Sequence, residues 1–361
     1  MRVRAAVNLA AIERNSARLA AAGPLLCAVV KANGYGHGAI ACARAAVAGG
    51  ATWLAVATAA EAAELRAAGL LGPPILVMGA LTRAEAAVAQ AARADVVAWT
   101  EEIVDWIADS GGGRLHVKLD TGMGRLGTRE TAEADRIAAA VRAAPGCELV
   151  GAMTHFATAD DRDDPFFGEQ LERFAAWAEG YRDVIVHAAN SAALLRDRRA
   201  HFDMARCGVA VYGLDPFGAD AAAHGLEPAL ELRSWVAAIK PCAAGQSAGY
   251  GRRFVAAADT RLGVVPIGYG DGWRRALTNN AEVIVEGVRR PLVGTVSMDN
   301  VTVDLGPGSA VRPGANATLI GGGITAEEVA RRLETINYEV TCALLPRVPR
   351  EYHRDGVPEP P

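Results

Sequence analysis

Between residues 24 and 213, short apolar runs rich in Val, Ile and Leu alternate with alanine-rich stretches that carry their charges at helical spacing. This alternation limits the fold more than any other feature of the chain. A strand that is apolar at every position must be covered on both faces, and covered strands joined by helices make a parallel sheet. The runs fall at about 25–32, 52–58, 74–79, 95–99, 114–120, 148–157, 184–190 and 203–212, which makes eight. Eight strand-helix units in roughly 200 residues are the count and size of a (β/α)8 TIM barrel, although a doubly wound open sheet has a similar period. The barrel is the preferred reading, over residues 1–230.

Past residue 230 the texture changes. Gly and Pro become frequent and apolar residues alternate with polar ones, as in VIVEGVRRPLVGTVSMDNVTVDLG at 283–306. A helical pattern survives only from Thr325 to Leu333. Residues 231–361 therefore read as a mostly antiparallel β domain.

Charge and hydropathy then exclude several function classes. Lys+Arg 37 against Asp+Glu 41 gives a net charge of -4, with no basic run interleaved with aromatics, so no nucleic-acid partner is expected. The longest uncharged stretches, Ala45 to Ala60 and Ala67 to Thr82, are broken by Gly or Pro before reaching the roughly 18 to 20 residues of a spanning helix. No membrane segment is expected. The opening Met1-Arg-Val-Arg has no apolar run behind it that would make a signal peptide, which points to the cytoplasm. Cys27, Cys42, Cys147, Cys207, Cys242 and Cys342 are scattered without a C-x-x-C pair, so they read as small buried hydrophobes and no metal site is expected.

In a (β/α)8 barrel the reacting groups project from the C-terminal ends of the strands. The first run ends Ala28-Val-Val-Lys31 and passes at once into Ala-Asn-Gly-Tyr35-Gly-His37-Gly38. Most lysines at such a place snorkel to water. A desolvated lysine, however, becomes a usable amine for Schiff-base chemistry, and the commonest protein-bound aldehyde is pyridoxal 5′-phosphate. That cofactor needs a phosphate site, which barrels tend to place after strands seven and eight. Asn190-Ser191 and Gly208-Val209 stand there, a hydroxyl at a helix start and a small residue that lets backbone approach an anion.

These residues carry a resemblance. Ala28-Val-Val-Lys-Ala-Asn-Gly-Tyr-Gly-His-Gly38 is similar to the pyridoxal-lysine signature of bacterial alanine racemases. Further segments match that family in order along almost the whole chain. They include Lys118-Leu-Asp-Thr-Gly-Met-Gly-Arg-Leu-Gly127, Met153-Thr-His-Phe-Ala157, Phe202-Asp-Met-Ala-Arg-Cys-Gly-Val-Ala-Val-Tyr-Gly213, Gly249-Tyr-Gly251, Ile267-Gly-Tyr-Gly-Asp-Gly-Trp273, Ser297-Met-Asp299 and Asn337-Tyr-Glu-Val340 before Arg347. The resemblance implies pyridoxal 5′-phosphate as cofactor, alanine as substrate, D-alanine supply for peptidoglycan, and a homodimer whose active sites borrow residues from the neighbouring C-terminal domain.

It also implies roles residue by residue. Lys31 holds the cofactor and exchanges a proton on one face of the substrate α-carbon, while Tyr250 of the other subunit serves the opposite face, assisted by His155 and Arg206. Arg206 faces the pyridine nitrogen. Tyr35, His155, Ser191, Gly208, Val209 and Tyr338 complete the cofactor site; the substrate carboxylate meets Arg125 and, from the other subunit, the backbone of Met298 with Asp299 beside it, and Tyr269 stands at the entrance. Lys118 matches a position that is carbamylated in some members. Two positions depart from the pattern: Cys207, where proline is common, and Leu345-Pro346, where an aromatic usually precedes Arg347. The first is expected to loosen the backbone behind the ring, since proline fixes φ and cysteine does not. Three other classes share parts of this plan. Decarboxylases of basic amino acids generally pair the pyridine nitrogen with a carboxylate, pyridoxal-phosphate carrier proteins lack the second domain, and broad-specificity racemases typically carry a leader and a disulfide.

Overall fold

The structure, a computed structural model, describes residues 2–359. The described residues form two compact units, one of Ile12–Phe217 with Ala222–Leu226, the other of residues 2–11 with Gly218–Ala221 and residues 227–359. The first strand, β1 (Arg4–Asn8), is in the second unit, whereas a division at residue 230 assigns it to the barrel. Five residues, RAAVN, are too few to show in sequence which sheet receives them.

In the first unit, eight strands among the described residues form one all-parallel sheet. They are β2 (Leu25–Val29), β3 (Trp53–Val56), β4 (Ile75–Val77), β5 (Asp95–Ala98), β6 (Gly113–Lys118), β7 (Cys147–Met153), β8 (Ile185–His187) and β9 (Met204–Cys207). They run in sequence order around the sheet, with β9 returning to pair with β2 in the register Cys27↔Arg206 and Ala28↔Cys207. The remaining gap is spanned by backbone bonds from Asp203 N to Val186 O and from Arg206 N to Ala189 O, both 2.9 Å. The sheet is thus a nearly closed barrel. Its strands are buried at almost every residue, as their uninterrupted apolar character requires.

The observed strands end sooner than the apolar runs do. The 203–212 run leaves the ladder at Cys207 and becomes a 3₁₀ turn at Val209–Tyr212, and the 148–157 run ends at Met153. Rim residues stay apolar because they are buried beneath loops, so hydropathy overshoots hydrogen bonding. Three of the intervening helices start at a capping threonine, Thr58, Thr82 or Thr100. Thr58 and Thr82 each accept from the amide three residues on, with Glu61 and Glu85 returning the bond, so two orphan amides are satisfied at each start.

In the second unit β1 lies in the middle of a seven-stranded sheet, antiparallel to Leu230–Trp235 and parallel to Arg350–Arg354. Leu230–Trp235 buries every second residue, the pattern of a sheet with one dry face. A three-stranded antiparallel sheet (Ala238–Cys242, Thr260–Val265, Val301–Asp304) and a short hairpin complete the β architecture. Among the described residues two α-helices lie wholly in this unit, Ala326–Arg332 and Asn337–Cys342. The second, six residues long, is too short to leave a helical period in the sequence. All six cysteines are free. Cys27, Cys42, Cys207 and Cys242 are buried; Cys147 is half-buried and Cys342 exposed, against the expectation of burial. No helix among the described residues is long and apolar enough to cross a membrane.

Candidate active site

Lys31 follows β2 directly and opens an unusual turn. Ala32, Asn33, Gly34 and Tyr35 all have left-handed φ, between 52° and 61°. Each non-glycine residue in that region costs roughly 1–2 kcal/mol, so the surroundings must hold the turn. Glu61 accepts from Ala32 N at 2.7 Å, Asn33 Oδ1 accepts from Ala39 N at 3.0 Å, and His37 Nδ1 lies 3.1 and 3.0 Å from the carbonyls of Gly34 and Tyr35. Gly34 cannot be replaced cheaply, since a Cβ there would stand 3.2 Å from the Ala39 backbone. The Tyr35 ring packs on Tyr212 at 5.1 Å, and the Tyr212 hydroxyl donates to Val29 O at 3.0 Å. These contacts fix the backbone turn that Lys31 opens.

Arg206, in β9, is buried and its partners are neutral. Nη1 is 2.7 Å from His187 Nδ1; Nη2 donates to the carbonyls of Thr154 (2.8 Å) and Ala188 (3.0 Å) and lies 3.2 Å from His155 Nδ1. Its Nε is buried with no acceptor. Burial brings Arg206 down to about 10, which leaves it charged at neutral pH. His155 is driven well below its ordinary value, first by burial and then by Arg206, Lys118, Arg125 and Lys31. Lys118 falls to about 8 from burial, Arg206 and Arg125, with Asp120 opposing and Lys31 adding to the fall. Four cations therefore converge electrostatically on the C-terminal rim, a field suited to anionic groups.

Beyond Lys118 the chain turns on Asp120. Its carboxylate accepts from the amides of Gly122 (3.0 Å), Met123 (2.7 Å) and Gly124 (2.9 Å). Burial alone would raise this carboxyl, but those amides and Arg129 outweigh it and hold it below the usual range. Arg125 stands exposed on this turn.

Ser191, Gly208 and Tyr35 meet at another point of the rim. Ser191 Oγ accepts from the amides of Gly208 (3.1 Å) and Ala210 (3.4 Å). A Cβ on Gly208 would fall 2.2 Å from the Tyr35 hydroxyl, so only glycine admits that side chain. Val209 begins the 3₁₀ turn that follows. Cys207 is the last laddered residue of β9, and burial pushes its thiol up to about 12.

The barrel unit thus brings together Lys31, Tyr35, His155, Ser191, Arg206, Gly208 and Val209. The remaining expected residues, Tyr250, Tyr269, Met298, Asp299 and Tyr338, belong to the β unit. Three of its loops adjoin. Thr295 donates to Tyr250 O at 2.6 Å, while Tyr269 N and Gly270 N donate to the carbonyls of Ser297 (3.1 Å) and Met298 (2.9 Å). Asp271, fully buried, is gripped by Arg2 and by Arg347 (2.8 Å), and Arg347 also reaches Asp299 at 2.6 Å. Tyr250 is 73% exposed, Met298 52% and Tyr269 41%, a concentration of large exposed side chains on one set of loops. Tyr338 is half-buried in the helix Asn337–Cys342.

Sequence reasoning passed over His187, His116 and Asp95, which stand behind Arg206, and over Arg2 and Asp271. One signal was present: in Leu115-His116-Val117-Lys118 the histidine and lysine share a face of an otherwise apolar strand.

Residues 7–216 match the family described as alanine racemase, N-terminal domain, and residues 229–352 match its C-terminal domain. The chain belongs to the alanine racemase family. The alanine racemase of Symbiobacterium thermophilum is 42% identical over 345 residues, covering 91% of this chain and 90% of that protein; that of Halalkalibacterium halodurans is 40% identical, covering 92% and 89%. The solved alanine racemase from Streptomyces coelicolor superposes with a TM-score of 0.92 at 38% identity, over 97% of this chain and 98% of that one. That from E. faecalis gives 0.90 at 38% identity, over 98% of both. The barrel followed by a β domain is the fold of alanine racemases, and the enzyme class is isomerase, an amino-acid racemase.

Proposed function

We propose that the chain interconverts L- and D-alanine with pyridoxal 5′-phosphate bound at the barrel rim, by a two-base mechanism. The observation that carries this reading is the buried Arg206 Nε–H, a donor without an acceptor, in a rim that also holds Lys31 and His155. The aromatic ring nitrogen of the cofactor is an acceptor of the kind that donor lacks, and a guanidinium does not yield its proton. The notch where Gly208 admits the Tyr35 hydroxyl, beside Ser191, fits a phosphate bound by hydroxyl and backbone donors. The residues present therefore fit the group.

When bound, pyridoxal phosphate supplies an electron sink for the negative charge left at the substrate α-carbon. Lys31 attaches the cofactor and moves a proton on one face of that carbon. On the other face the proton is moved by Tyr250 of the partner subunit, whose exposure in a single chain agrees with service across an interface. His155 stays neutral and lies within reach of Arg206, so it can pass hydrogen-bond polarisation from the guanidinium to the phenol. Arg125 receives the substrate carboxylate together with the backbone of Met298 of the partner subunit, with Asp299 of the partner subunit beside it, and Tyr269 of the partner subunit narrows the entrance; the boundary near residue 230 between barrel and C-terminal domain, and the homodimer, are part of the same reading. Six free thiols accord with a reducing cytoplasm, where D-alanine is required for peptidoglycan precursors.

The test is proton NMR of L-alanine in D2O with the cofactor-loaded protein, followed by chiral analysis, with L-lysine run in parallel. Loss of the α-proton signal together with appearance of D-alanine is the expected result. Exchange without inversion would refute the second base, and release of CO2 from lysine would refute the racemase reading.

A further inference from the structure

Arg206 is buried to 2% exposure, and among the described residues no carboxylate touches it. Its countercharge arrives indirectly. Beyond the Nη1 contact, His187 Nε2 lies 2.8 Å from His116 Nδ1, and His116 Nε2 lies 3.3 Å from Asp95 Oδ2. Arg114 Nε, at the barrel's other end, donates to Asp95 Oδ1 at 3.1 Å. Asp95, His116 and His187 are each at most 1% exposed. The chain runs from the C-terminal ends of β8 and β9 to the first residue of β5, through the barrel's length.

The polarity of these bonds is settled by their ends. A guanidinium only donates and a carboxylate only accepts, so His187 Nδ1 must accept from Arg206 and its Nε2–H must donate to His116 Nδ1. His116 Nε2–H then donates to Asp95. Both imidazoles are neutral in this arrangement, each a single fixed tautomer, and no nitrogen is left over. The backbone is built around it. A Cβ at Gly151 would fall 2.1 Å from His116 Nδ1, the register of β6 against β7 shifts between Leu115 and His116, and the Trp53 ring meets His116 edge-on at 5.6 Å.

We propose that Asp95, His116 and His187 are a positioning chain for Arg206, and that Gly151 is the residue that gives it room. The inference rests on the pyridoxal-phosphate reading above. The chain commits Nη1 to His187, carbonyls commit Nη2, and Nε–H remains as the donor offered to the cofactor ring. Because the carboxylate is two imidazoles away, it orients the guanidinium without neutralising it as a direct ion pair would.

The test uses the holoprotein and four variants. Asp95→Asn keeps an acceptor but removes the charge; His187→Leu removes the Nδ1 acceptor; His187→Asn restores an acceptor near the Nδ1 position; Gly151→Ala displaces His116 from outside the chain. For each, the visible absorption of bound pyridoxal phosphate, its dissociation constant, kcat and KM for alanine, and the unfolding temperature of the cofactor-free protein are measured. A hydrogen bond to a charged group changes an equilibrium by about 10- to 100-fold, and a shift of that order in cofactor affinity is expected for His187→Leu. Its absorption band should move and kcat should fall more than KM rises. His187→Asn should recover part of both effects, with Gly151→Ala and Asp95→Asn shifted in the same direction as His187→Leu. If His187→Leu fails to fold, Asp95→Asn and Gly151→Ala decide the matter. Unchanged spectra and cofactor affinities in variants whose unfolding temperature drops would overturn the proposal, leaving the chain a structural element only. Should the parent protein itself bind no pyridoxal phosphate, the functional reading fails first, and that result is visible without any variant.

Discussion

A single methyl group at position 208 should weaken cofactor binding. Gly208 has φ −106° and ψ −87°, outside the regions an alanine prefers, so the substitution adds backbone strain to the steric clash. The added Cβ would stand 2.2 Å from the Tyr35 hydroxyl oxygen and 2.6 Å from its Cζ, whereas unstrained contact needs about 3.5 Å. The ring must therefore withdraw by about 1 Å. It has little freedom to do so, because it is buried against Tyr212, itself tied to Val29 O, and its backbone belongs to the left-handed turn. Overpacking of this kind costs about 1–3 kcal/mol, and a unit of roughly 200 residues loses about 2–4 °C of unfolding temperature per kcal/mol. Withdrawing the hydroxyl from a bound phosphate removes a hydrogen bond to a charged group, about 1.5–3 kcal/mol or about 10- to 100-fold in Kd. The assay is a spectroscopic titration of cofactor-free protein with pyridoxal phosphate, alongside thermal unfolding. Tyr35→Phe should reproduce the affinity loss with less effect on stability, and the double variant should lose less than the sum of the two singles. Parent-like affinity and unfolding temperature for Gly208→Ala would refute the steric argument and the phosphate site built on it.

Four further outcomes follow from the same geometry. If Tyr250 serves the partner's site, mixing Lys31→Ala with Tyr250→Phe under subunit exchange should restore about one quarter of parental activity, since half the dimers are mixed and one of their two sites is intact; no restoration would place both bases in one chain. Lys118 falls from 10.5 to about 8, so its charged form burdens the fold fully below pH 8 and not at all above 10.5. Lys118→Met should therefore add about 3 kcal/mol in denaturant titrations of cofactor-free protein at pH 7 and a small fraction of that at pH 10. His155 and His187 are both held below 6.5, so the unfolded chain takes up protons there that the native state refuses; unfolding temperature should drop between pH 7.5 and 5.5, less steeply in His187→Asn. Arg206→Glu, by allowing the ring nitrogen to be protonated, should raise the yield of pyridoxamine phosphate per turnover while racemisation falls at least about tenfold; an unchanged yield would remove the role given to the guanidinium.

The parts of this protein legible in one dimension are those set by local chemistry. Eight covered strands announced themselves because a strand buried on both faces must be apolar throughout, and the second domain did so through alternation and turn residues. Lys31, Ser191 and Gly208 were visible because a barrel puts its chemistry just past each apolar run. Strand ends were not, since burial continues beyond the ladder at Cys207 and Met153.

Tertiary structure alone decided three matters. It placed Arg4–Asn8 between strands more than two hundred residues away, a pairing no local pattern encodes. It bent Ala32 to Tyr35 into a left-handed turn, against intrinsic preference, with Glu61, Asn33 and His37 holding it. It lined up Asp95, His116, His187 and Arg206, which come from four different strands and whose bonds depend on register across the barrel. Sequence determines which groups lie on the inner face; only closure of the barrel determines which of them meet, because contact there depends on the stagger of neighbouring strands and on a glycine that leaves the space.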